Sequence, residues 1–139
     1  MNTASESTVY GRVVSTSLGF EAAHQRLRET LKAEGFGILC DIDVRATMHE
    51  KLGVDFRNYR ILGACNPPLA LRALSAEPQL GLLLPCNVVI QEVEGKTLIS
   101  AIDAKQMMSM IRNADLREIG DDANARLGRV LDAISQEKP

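Results

Sequence analysis

Apolar and polar residues alternate along this chain in two different periods, and the switches between them mark its elements. Residues 9–15 read as a short strand. Phe20, Ala23, Leu27 and Leu31 then recur at helical spacing after Gly19, and Gly35 follows at the position where a left-handed residue ends a helix. Phe36, Ile38, Cys40 and Ile42 return to a period of two, which predicts a strand with one apolar face and makes Cys40 a core residue. Asp43 is placed to cap a short helix over 44–52, stopped by Gly53.

The pattern repeats downstream. Residues 59–65 read as a strand, Asn66 as a helix cap, and Pro67 as the first helical residue, where its missing N–H is harmless. Leu69, Leu71, Ala73 and Leu74 carry this helix to Glu77-Pro78. Residues 82–93 read as one long strand whose Pro85 points to an edge position or a bulge. Glu94-Gly95 turns it into a partner strand over 96–102, forming a hairpin. Asp103 caps a short helix containing Met107, Met108 and Ile111. The last helix covers about 116–134, its apolar face being Leu116, Ile119, Ala123, Leu127, Val130, Leu131 and Ile134.

Without the short helices the order is strand, helix, four strands, helix. The hairpin implies a largely antiparallel sheet covered on one face by the long helices, an α+β fold with a β-α-β(4)-α core. Such a sheet gripping a long helix can enclose an apolar pocket. We expect one domain over 9–134, with residues 1–8 and 135–139 as flexible tails.

Composition narrows the function classes. The 139 residues include 16 basic and 18 acidic ones, for a net charge of −2, so no cationic surface invites nucleic acid or an anionic membrane. Aromatic residues make up 4% and Trp is absent, which removes a base-stacking platform. No run reaches the roughly 18–20 apolar residues of a membrane span. The polar start lacks a secretion signal, and the three cysteines fit neither a zinc box nor a disulfide framework. A cytoplasmic protein is expected.

Candidate chemistry centres on two cysteine–asparagine dipeptides set among prolines, Cys65-Asn66-Pro67 and Pro85-Cys86-Asn87. Cys65 precedes a helix start, whose positive end favours a thiolate, and Cys86 follows Pro85, where the strand is expected to kink. Were their strands paired, the two sulfurs could hold a soft metal such as Cu(I) or zinc, or act as a redox dithiol. Burial as a small apolar filler is the commoner fate of a cysteine. Asn66 and Asn87 could offer amides to a ligand, although a cap and a strand bend already account for them. His24 shares the stripe of Phe20, Leu27 and Leu31, so it faces the sheet, either as a hydrogen-bonded core residue or as a ligand in a cavity. Asp41 and Asp43 fall on the face opposite Cys40. No phosphate loop or nucleophile–base motif is present, and no cofactor is called for.

Several of these segments together resemble a known family. They are Gly35-Phe36-Gly37, Asp43-Val44-Arg45-Ala46-Thr47, Lys51-Leu52-Gly53, and Tyr59 through Pro67 with its Gly63-Ala64-Cys65-Asn66 core. Leu69-Ala70 and Gly81-Leu82-Leu83-Leu84-Pro85-Cys86-Asn87-Val88 complete the set. The chain is similar in these to the bacterial and archaeal family known as domain of unknown function 302. The resemblance implies a small α+β domain of TATA-binding-protein-like or helix-grip type, found as a homodimer, and implies no reaction. The resulting expectation is a non-enzymatic protein that binds a small, apolar ligand or a partner. The alternative is a thiol-based metal-binding or redox protein using Cys65 and Cys86. A cysteine-nucleophile enzyme ranks last, because only His24 and His49 could supply its base.

Overall fold

In the computed structural model, which describes residues 4–139, the chain is α+β. The strands are β1 (Gly11–Thr16), β2 (Gly37–Asp43), β3 (Tyr59–Cys65), β4 (Cys86–Val93) and β5 (Lys96–Ile102). The helices are α1 (Phe20–Ala33), α2 (Val44–Leu52), α3 (Pro67–Ala76), α4 (Ala104–Ser109) and α5 (Asp115–Ser135), with a 3₁₀ turn over Pro78–Leu82. The five strands lie in the order β1-β5-β4-β3-β2, every neighbouring pair antiparallel. Residues 1–3 of the expected N-terminal tail lie outside the described residues. Among the described residues no helix is long and apolar enough to cross a membrane.

Local chemistry sets the boundaries much as the sequence implies. Asp43, Asn66 and Asp103 each accept a hydrogen bond from a first-turn amide at a helix start. Gly35 and Gly53 take positive φ at helix ends, and the Glu94-Gly95 turn closes the β4–β5 hairpin.

The apolar stripes of α1 and α5 pack on the face of the sheet that carries Leu62, Ala64, Val88, Ile90, Ile99 and Ala101. This is the main core. A second cluster lies beside it, where α3, the 3₁₀ turn and α4 meet the first half of α5. Its buried members include Leu69, Ala73, Leu80, Met107, Met108, Leu116 and Ile119. The opposite face of the sheet carries the cross-strand row Ile42, Ile61, Val89, Ser100 and Val13.

Two sequence expectations are corrected. The even alternation through Ile42 fails because β2 contains a bulge between Ile38 and Cys40. One extra residue, Leu39, reverses the facing of everything after it. Cys40 is therefore exposed rather than in the core, and Ile42 is 44% exposed. Asp41 and Asp43 turn instead toward the helix side. The strand expected over 82–93 begins only at Cys86, and β4 is central, between β3 and β5. Pro85 lacks the N–H a central ladder needs, so pairing starts one residue beyond it. The Leu84–Pro85 peptide is cis.

Candidate functional site

Three segments converge where β3 ends and β4 begins. The Asn66 side chain holds two of them together: its Oδ1 accepts from the Leu69 amide at 3.4 Å, and its Nδ2 donates to the Glu34 carbonyl at 3.4 Å. Arg126 of α5 donates to the same carbonyl at 3.0 Å. The approach requires a glycine at position 35, since its φ is +86° and a Cβ there would stand 3.0 Å from Asn66 Nδ2. Gly63 has a similar role one strand over. A Cβ at that position would lie 2.7 Å from Cys40 Sγ and 2.8 Å from Pro85 Cγ, so glycine lets the bulged strand and the Pro85 bend close over β3.

A cavity of about 240 Å³ opens at this convergence. It follows the seam between the two apolar clusters. Phe36, Ala64 and Cys86 line it from the main core, and Leu69, Ala73, Met108, Ile119 and Ala123 from the second. Leu84 packs against both clusters. Cys65 and Asn66 complete the lining near the α3 start, and no charged side chain is among the lining residues. Leu39, 66% exposed, and Leu74, 39% exposed, also line it and bring apolar surface out to solvent. Leu39 is the bulged residue of β2, so the irregularity that reverses Cys40 also supplies a wall of this pocket.

Of the five residues singled out from sequence, Cys65, Asn66 and Cys86 line this one cavity. Asn87 does not, because strand neighbours point to opposite faces; it borders a separate concavity on the other side of the sheet with Val89, Ser100 and Tyr10. His24 is elsewhere again, at the junction of α1 and β2. Its Nε2 lies 2.6 Å from Asp41 Oδ2, to which Arg28 also donates at 3.0 Å. Arg60 binds the other Asp41 oxygen at 3.2 Å and reaches Asp43 at 3.4 Å. Burial would raise the Asp41 carboxyl, but the hydrogen bonds and charges of His24 and Arg60 outweigh it and hold the pKa below its usual value. Two cations and a histidine facing two carboxylates make a self-compensated ionic cluster.

All three cysteines are free thiols. Burial first, and then the neighbouring Cys65, push the Cys86 thiol up to about 11, so it is protonated at neutral pH. In the β3–β4 register Cys86 faces Ala64, which places Cys65 on the other side of the pleat at the end of its strand. Among the described residues no group of three or more His, Cys, Asp or Glu side chains could hold a metal ion.

Sequence reasoning missed most of the cavity wall, notably Leu39, Leu84, Met108 and Ile119. One signal was available: Ala70, Ala73 and Ala123 place small side chains on facing helices, where larger ones would have filled the space.

Residues 12–134 match the family described as domain of unknown function DUF302. A solved structure titled as an uncharacterized conserved protein DUF302 from Bacillus stearothermophilus is 34% identical. It superposes with a TM-score of 0.85, the match covering 91% of this chain and 99% of that one. No curated protein matches the chain. The chain belongs to the DUF302 family.

Proposed function

For this member of the DUF302 family we propose a binding role without catalysis, in which a small apolar ligand occupies the cavity between α3, α5 and the adjoining ends of β3 and β4. The observation that carries this reading is the cavity itself: about 240 Å³ of space with no charged side chain in its wall and exposed leucines beside it. An apolar concavity open to solvent keeps water against hydrocarbon, and an apolar guest would release that water and gain dispersion contacts with the wall. Apolar, largely pre-formed concavities are the usual form of small-molecule sites.

Titration with the uncharged dye Nile red tests the proposal. Native protein should bind it saturably, with a blue-shifted emission. Ala70→Trp, which places an indole in the cavity, should abolish binding while the far-UV circular dichroism stays native. Equal binding by both proteins, or none by native protein, would contradict the proposal.

The thiol reading has one observation in its favour, namely that Cys65 and Cys86 line the same cavity and interact electrostatically. Against a redox dithiol stands the raised Cys86 thiol, since exchange needs a thiolate and burial leaves little of it at neutral pH. Metal analysis and thiol titration of native protein beside a Cys65→Ser, Cys86→Ser double variant separate the readings. Stoichiometric metal lost in the double variant would favour the thiol site over the apolar one.

A further inference from the structure

The cavity wall also restricts what kind of apolar ligand it can take. Asn66 is the one carboxamide in the lining, and both ends of it are engaged, by the Leu69 amide and by the Glu34 carbonyl. No buried side-chain nitrogen or oxygen among the described residues lacks a hydrogen-bond partner. The remaining heteroatoms on the lining side chains are two thiols and the Met108 thioether, all weak hydrogen-bonding groups. A hydroxyl, amide or carboxylate carried inside would lose its water and gain little in return. The part of the ligand that enters must therefore be hydrocarbon.

Size sets a second limit. Scaled from an apolar cavity of about 150 Å³ that holds benzene, 240 Å³ has room for about eight to ten carbons. The exposed surfaces of Leu39 and Leu74 flank that space, so a polar end meets solvent beyond the leucines.

Resting on the binding role proposed above, we infer that the ligand is an amphiphile whose hydrocarbon tail of about eight carbons fills the cavity while its polar head stays outside. Leu39 and Leu74 grip the tail where it leaves the protein. The wall at Ala73 and Ala123 limits how much of it is accommodated.

A series of straight-chain 1-alkanols from butanol to dodecanol tests this by isothermal titration calorimetry on the full chain, with Ala70→Trp as the blocked control. Affinity should rise about fourfold per added methylene up to about eight carbons and then level off. The diol 1,8-octanediol, which forces a hydroxyl into the cavity, should bind at least about tenfold more weakly than 1-octanol. Ala73→Leu adds three carbons to the wall and should move the levelling-off point down by about that number. Ala70→Leu does the same from the neighbouring turn of α3 should the first variant fold poorly. An affinity that climbs unbroken to dodecanol, or a diol that binds as well as the alcohol, would overturn the inference while leaving the binding role intact. If no alkanol binds native protein, the binding role itself fails.

Discussion

The two apolar clusters of this domain are built differently, and the difference explains where the cavity lies. The main core is backed by the hydrogen-bonded sheet and filled by branched side chains such as Leu27, Leu31, Ile90, Ile99 and Leu131, all essentially inaccessible. The second cluster has helices on its sides and no complete sheet behind it. Five of its nine buried residues are alanine or methionine: Ala73, Ala104, Ala123, Met107 and Met108. Alanine leaves space, and methionine adapts its shape to what remains. A ladder fixes spacing between strands, whereas helices meeting at a sheet end have no such ruler, and the space collects at their seam. We expect stability to concentrate in the first region and adaptability in the second.

Truncation should expose this contrast most strongly. Leu27→Ala, in the main core, should cost about 3–5 kcal/mol in urea unfolding. Leu69→Ala, which enlarges an existing cavity from the other side, should cost about 2 kcal/mol, since part of its surroundings is already empty. Equal losses would erase the distinction between the clusters.

A pH effect of intermediate size should come from the seam. The Cys86 thiol, pushed up to about 11 by burial, stays protonated in the folded protein after it ionises in the unfolded chain. Its contribution is complete below about pH 9 and is lost as pH rises through about 11, about 3 kcal/mol in all. Urea midpoints of native protein and Cys86→Ala, compared between pH 8 and pH 10.5, should show a steeper decline for the native chain. Parallel declines would mean that the thiol is not desolvated.

The smallest effect belongs to the ionic cluster. Asp41 has a lowered pKa, so its contribution is present above the unfolded carboxyl value and disappears as pH falls through the folded one. Asp41→Asn should therefore flatten the acid limb of the stability profile and leave alkanol binding unchanged, because Asp41 does not line the cavity. A loss of binding in this variant would tie the two regions together.

Much of the architecture was legible in the chain because local chemistry wrote it. Asp43, Asn66 and Asp103 announce helix starts, Gly35 and Gly53 announce stops, and Glu94-Gly95 announces the hairpin. The Leu39 bulge was not legible, since Phe36, Ile38, Cys40 and Ile42 alternate without a break; beyond it Cys40 and Pro85 lie close over Gly63, a tertiary contact that alternation does not encode. The site divides in the same way. Cys65, Asn66 and Cys86 line one cavity, but their motifs could not show that Asn87 must face away from Cys86, nor that Asp41, turned by the bulge, would engage His24. The facing alanines and leucines of the cavity carry no motif at all.

The seam, and not the main core or the outer sheet face, should receive the apolar guest. Methyl-resolved NMR during titration with 1-octanol tests it most directly. Leu69, Leu84, Met108 and Ile119 methyls should shift progressively and saturate, while those of Leu27, Ile90 and Leu127 stay in place. Shifts confined to Val13, Ile61 and Val89 on the open face of the sheet, or no saturable shift anywhere, would contradict it.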